Sequence, residues 1–212
     1  MQPARHEWVK TNENISEEKY DKYFKYFNPD LYDPKDWAHK AKLAGMKYAV
    51  FTTKHHEGFC MFDSMYTDYK CTNTPAGRDL VREYVEAFRA EGLRIGFYYS
   101  LIDWHHPSFT IDRYHPRRDD KDAFEQNKGR DMSIYAEYMR NQVRELLSNY
   151  GKIDILWFDF SYEASKSGPY AGTWMKGKGK EDWEADKLRQ HRTKPIFSNP
   201  PTSDIISIWI NR

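Results

Sequence analysis

Apolar residues recur along this chain with two spacings, and the two alternate. Behind Ser16, Tyr20, Tyr23, Phe24 and Phe27 return every three or four positions, which predicts a capped amphipathic helix over 16–27. Asp33-Pro34 opens a second helix, with Trp37, Ala38, Ala41 and Ala44 as its buried stripe and Gly45 as its stop. Asp79 caps a third, whose Leu80, Val81, Tyr84, Val85 and Phe88 share one face and which Gly92 closes. The longest runs from Asp131 to Tyr150, lined by Tyr135, Met139, Val143, Leu146 and Leu147 and ended by Gly151.

Between these helices lie short runs of β-branched and aromatic residues. Residues 47–53, 94–99 and 153–158 read as strands, the first of them buried. Long polar loops follow the first two strands, and a Gly/Lys-rich loop spans about 164–180. A polar helix near 181–191 and a weak strand near 195–198 close the readable part. Helix and strand alternate, with connections long enough for parallel crossovers, so the expected fold is α/β with a parallel sheet. No Gly-rich phosphate loop follows a strand, which weakens a nucleotide-binding fold. No fixed-period repeat is present.

Composition narrows the function classes. The chain has 212 residues, a length that suits one domain. Aromatics reach 17 %, which argues for a folded core despite a mean hydropathy of −0.94. The 33 Lys+Arg balance 32 Asp+Glu, so nucleic acid as a partner loses its electrostatic basis. No run approaches the roughly 18 apolar residues of a membrane span, and the N-terminus lacks the apolar stretch of a signal peptide; the compartment stays open. Cys60 and Cys71 do not make a disulfide framework. The length is short for a complete (β/α)8 barrel, which typically needs about 250 residues.

Chemistry collects where the strands end. Lys54-His55-His56-Glu57 follows the first strand. Tyr98-Tyr99, then Asp103-Trp104-His105-His106, follows the second, and Trp157 and Asp159 end the third. Parallel α/β folds place their active sites at these carboxyl ends. A carboxylate behind an apolar run is costly to bury unless paired or used, so Asp159 reads either as a structural cap or as a nucleophile beside an aromatic wall. His55 and His56 read as one core and one exposed histidine, as metal ligands, or as donor and acceptor to vicinal sugar hydroxyls. Trp8 and Trp104 each adjoin a polar residue and Trp157 lies two before Asp159, as suits stacking on a sugar face.

On these residues the chain resembles the α-L-fucosidases of glycoside hydrolase family 29. The matching stretches are Glu7-Trp8, Ala44 to Tyr48, Thr52 to Phe59, Gly96 to Leu101, Asp103 to Pro107 and Leu156 to Asp159; they span about three quarters of the chain. The resemblance implies a (β/α)8 TIM-barrel-like catalytic domain over 1–212, incomplete, with the first strand and the last strands missing. It implies retaining hydrolysis of terminal α-L-fucose, with a fucosylated glycan as partner and no metal or other cofactor. Asp159 takes the place of the nucleophile, His55 and His56 of fucose-hydroxyl ligands, Glu7 and Trp8 of pocket residues, and Trp157 of its lining. A strand-end tyrosine also contributes, either Tyr98 or Tyr99. The chain departs from the family in its acid/base: Glu163, Glu181 and Glu184 stand in contexts that match nothing in it, and none follows Glu184. On that reading the 212 residues by themselves have little activity and carry unpaired sheet edges. Two further readings stand beside it: a sugar-binding protein without catalysis, and a metal-dependent hydrolase built on His55, His56, His105 and His106.

Overall fold

The computed structural model describes residues 6–112 and 114–159, together with the backbone of Ser207–Ile210. Four parallel strands, β1 (Tyr48–Lys54), β2 (Arg94–Ser100), β3 (Ile155–Asp159) and β4 (Ser207–Ile210), lie side by side in chain order. The expected α/β organisation with a parallel sheet is therefore observed. β4 was not among the expected strands, and the segments 164–180, 181–191 and 195–198 lie outside the described residues.

The helices begin where their caps are. In α2 (Glu17–Tyr26) the Ser16 hydroxyl accepts from the Lys19 amide. In α3 (Pro34–Leu43) the Asp33 carboxylate accepts from Lys35 and Asp36, with Pro34 in the first turn where its missing N–H costs nothing. Asp79 caps α4 (Leu80–Ala90) and Asp131 caps α6 (Met132–Ser148) by the same chemistry. Two short pieces escaped the periodicity: a turn of 3-10 helix at His6–Trp8 running into α1 (Val9–Asn12), and α5 (Ala123–Asn127). Neither is long enough to show a repeat.

One face of the sheet is covered. Ile95, Phe97 and Tyr99 of β2 and Leu156 and Phe158 of β3 form one core cluster with Val81, Tyr84, Val85 and Phe88 of α4 and Tyr135, Met139, Val143 and Leu146 of α6. Every second strand residue is committed to this layer, so the intervening ones, Tyr98, Ser100, Trp157 and Asp159, belong to the other face. Burying one such Leu, Val or Phe contributes about 1.5–3 kcal/mol, which makes the two helix stripes the main anchor of the site-bearing strands.

Three expectations need correction. The first strand is half-exposed rather than buried, because among the described residues β1 is paired on one side only. The α3 stripe is thin: Ala38 alone is buried and Trp37 is 50 % exposed. The segment after β2, expected as a polar loop, is packed: Leu101, Ile102, Trp104, Phe109 and Ile111 are each at most 3 % exposed. None of the described helices is long and apolar enough to cross a membrane.

Candidate active site

The end of β1 carries an irregularity that sets up the site. Thr52 pairs with Tyr98, but Lys54 pairs with Tyr99, so Thr53 is an extra residue in β1. Such a bulge reverses the alternation of side chains beyond it. Lys54, two residues after Thr52, therefore joins the helix layer: its Nζ lies 4.5 Å from the Tyr99 ring centre and donates to Asp103 Oδ2 at 2.8 Å. Burial alone depresses the Lys54 ammonium, but the Asp103 carboxylate outweighs it and the pKa goes up; the same pairing overcomes burial at Asp103 and pulls its pKa down. The Asp103 Oδ1 atom accepts from the His105 and His106 amides, fixing the start of the post-β2 loop. Gly58 sits against this carboxylate with φ +85°, and a Cβ there would also meet His105 Cβ at 2.9 Å. Only glycine fits this close approach.

Past the bulge, the two histidine rings come together on the site face, 3.9 Å between centres. His55 lies parallel to the Tyr98 ring at 5.8 Å, and its Nδ1 is 3.2 Å from Glu57 Oε2. His56 is 1 % exposed, packed by Trp8 at 4.9 Å and Trp104 at 5.3 Å. Its Nδ1 is 2.7 Å from Ser100 Oγ, and its carbonyl accepts from the Trp104 amide at 2.7 Å. Burial, with help from the charges of His55 and Lys54, lowers the His56 pKa to about 2, so the ring is neutral at ordinary pH. Its Nε2 lies 4.0 Å from Asp159 Oδ2, which is a contact between an imidazole and a carboxylate and not an ion pair.

Asp159 stands at the last position of β3, its side chain 21 % exposed. The Tyr98 hydroxyl donates to Asp159 Oδ2 at 2.6 Å. Burial, followed by that bond and the carboxylate's charge, pushes the Tyr98 pKa well up and keeps the phenol protonated as a permanent donor. Trp157, 37 % exposed, sets its ring edge-on to Tyr98 at 5.8 Å.

The structure thus brings together Trp8, His55, His56, Tyr98, Trp157 and Asp159. It separates Tyr99, which is fully buried on the helix side and donates to Gln142 Oε1 at 2.7 Å. Of the two tyrosines left open by alternation, Tyr98 is the one beside the carboxylate. Glu7 shares a turn with Trp8, but its side chain is exposed. Trp104 is 3 % exposed and backs His56 from behind, so it offers no open stacking face. Ser100 and Glu57 were not singled out as site residues. The signal for Ser100 was available, since it lies two residues after Tyr98 and so on the same face.

The four histidines of the metal reading do not gather. His105 stacks on Tyr69 at 4.0 Å, and His106 packs on Tyr138 at 4.4 Å while its Nδ1 accepts from the Ser108 amide. Among the described residues the three groups close enough to share an ion are Glu17, Asp21 and His105, a set that includes neither His55 nor His56.

A carboxylate among imidazoles and indole rings thus stands at the carboxyl ends of the parallel strands of an α/β protein. The family model Alpha-L-fucosidase matches residues 2–202, and the chain belongs to that family. It is 33 % identical to human tissue alpha-L-fucosidase over 138 residues, 65 % of this chain and 27 % of the human protein. Among solved structures, alpha-L-fucosidase isoenzyme 1 from Paenibacillus thiaminolyticus superposes with a TM-score of 0.72 at 63 % identity, covering 77 % of this chain and 39 % of that one. A trapped covalent intermediate of a GH29 alpha-L-fucosidase from Bacteroides thetaiotaomicron, formed with 2-fluoro-fucosyl fluoride, superposes with a TM-score of 0.63 at 33 % identity, covering 87 % and 38 %. The chain spans well under half the length of each of these proteins.

Proposed function

We propose that this chain is part of the catalytic domain of a retaining α-L-fucosidase, acting on terminal α-L-fucose of a glycan or glycoconjugate. The observation that carries the reading is the Asp159 carboxylate, held by the Tyr98 hydroxyl at 2.6 Å and facing His56 at a strand end. The covalent intermediate of the Bacteroides relative supports a double displacement. In the first step an Asp159 oxygen attacks the anomeric carbon, the bond to the aglycone oxygen breaks, and a second carboxylic acid protonates that oxygen. In the second step the same residue, now a carboxylate, takes a proton from water, whose oxygen displaces Asp159 and restores the original configuration. Glu163, Glu181 and Glu184 lie outside the described residues, and the acid/base is unassigned.

On this reading residues 1–212 form one segment of a (β/α)8 barrel. The parallel strands in chain order, the helix layer on one face and the chemistry at the carboxyl ends support it. His55, His56 and Tyr98 contact the sugar and its nucleophile, Trp157 and Trp8 line the pocket, and Glu7 reaches it from the rim.

The test is hydrolysis of an aryl α-L-fucoside by the full-length protein, with the anomer of the first product read by NMR. Release of α-L-fucose is expected. Release of the β anomer overturns retention, and fucose binding with no turnover favours a lectin-like protein instead.

A further inference from the structure

The hydrogen bonds around Ser100 fix more than the position of His56. Ser100 Oγ lies 2.7 Å from His56 Nδ1 and 2.8 Å from the Ile102 carbonyl oxygen, and it receives the Ile102 amide at 3.2 Å. A hydroxyl has one hydrogen to give. If that hydrogen went to His56 Nδ1, the Ser100 and Ile102 oxygens would face each other at 2.8 Å with no hydrogen between them. If it goes to Ile102, Nδ1 must carry its own hydrogen and donate it to Ser100. Only the second arrangement puts a hydrogen in both contacts. Ser100 is fully buried, so solvent does not offer a third partner.

We propose that Ser100 is a positioning residue: it holds His56 in the Nδ1–H tautomer, so that Nε2 presents a lone pair on the Asp159 side and accepts the hydrogen of a substrate hydroxyl. The Trp104 amide on the His56 carbonyl and the indoles of Trp8 and Trp104 on its ring leave the imidazole no freedom to turn over. The neutral state of the buried ring agrees with this, since a protonated one would donate from both nitrogens. His56 then reads a hydroxyl as donor, while the neighbouring His55, whose Nδ1 is engaged by Glu57, is set separately. The proposal rests on the fucosidase reading for the identity of the hydroxyl, though not for the tautomer.

Nitrogen NMR of the full chain labelled in histidine tests the tautomer without any substrate. Nδ1 is expected to appear protonated and Nε2 unprotonated, and the reverse pattern overturns the proposal. In Ser100→Ala the Nε2–H form is expected to gain population. The kcat/KM for an aryl α-L-fucoside is expected to fall about tenfold or more, the scale of one mismatched buried hydrogen bond. Ser100→Thr, which keeps the hydroxyl, is expected to restore both. A folded Ser100→Ala variant that keeps the wild-type tautomer or wild-type kcat/KM defeats the idea. If Ser100→Ala does not fold, the wild-type spectrum and Ser100→Thr still decide. Absence of turnover in the full-length wild-type protein would fault the fucosidase reading, and the spectrum would still decide the tautomer.

Discussion

The Tyr98 hydroxyl donates to the Asp159 carboxylate across 2.6 Å, and the two residues come from adjacent strands two register positions apart, Tyr98 opposite Trp157 and Asp159 opposite Ser100. A donor fixed in this way holds one carboxylate oxygen and leaves the orientation of the other determined. Tyr98→Phe removes the bond while keeping the ring beside His55 and Trp157. Hydrogen bonds to charged groups are worth about 1.5–3 kcal/mol, so kcat is expected to fall roughly ten- to a hundredfold in steady-state assays of a fucoside. A loss confined to thermal stability would count against a role at the carboxylate.

In the proposed mechanism, replacing Asp159 by glycine removes the nucleophile and opens space for a small anion. Turnover of an aryl α-L-fucoside is expected to drop by roughly 10³-fold or more. Azide is expected to restore part of it, giving a fucosyl azide of inverted configuration because the anion attacks from the emptied side. Undiminished hydrolysis by Asp159→Gly would remove the residue from the mechanism.

The Lys54–Asp103 pair is buried on both sides, with side chains 0 % and 2 % exposed. Lys54→Met leaves the Asp103 charge without its partner and is expected to cost about 3–5 kcal/mol in urea unfolding. Asp103→Asn in the same chain is expected to recover part of that loss, since it removes the stranded charge. Gly58→Ala, forced into both positive φ and the Asp103 side chain, is expected to destabilise by about 2–4 kcal/mol.

Acid should weaken the fold before any carboxylate titrates. Burial holds His56 down to about 2 and His115 down to about 3, the latter with Arg130 adding to the effect. Unfolded histidine takes up its proton near pH 6.5, so the unfolded state binds more protons as pH falls below that value. The stability held by each neutral ring is complete above about pH 6.5 and declines by about 1.4 kcal/mol per pH unit below it. Burial lowers His106 as well, so urea unfolding between pH 7 and 5 should show a slope of about two protons from His56 and His115, with His106 adding to it. In His115→Gln that slope is expected to fall by about one; an unchanged slope would mean that His115 is charged in the fold.

Much of this architecture could be read from residue order. The caps at Ser16, Asp33, Asp79 and Asp131 and the glycines after three of the helices marked element ends within a few residues, because capping is local chemistry. Strand burial was less legible: whether β1 is covered depends on what lies beside it, which its own seven residues do not encode. The choice between Tyr98 and Tyr99 needed the partner strand, since alternation gives two faces without saying which one the helices cover. A serine at a strand end, such as Ser100, has no distinctive pattern in the sequence; its importance comes from Ile102 and His56.

The extra residue at Thr53 carries a consequence for how this segment tolerates change in length. The strand before it and the histidines after it run out of step by one position. Deleting that single residue would place Lys54 directly after Thr52, where plain alternation sets it opposite Tyr99, its present partner. The lysine would keep its ammonium among the helices, and the histidines after it would keep their side of the sheet. The strand can thus absorb a one-residue shortening at this point, whereas the same shortening elsewhere along it exchanges the occupants of two compartments at once.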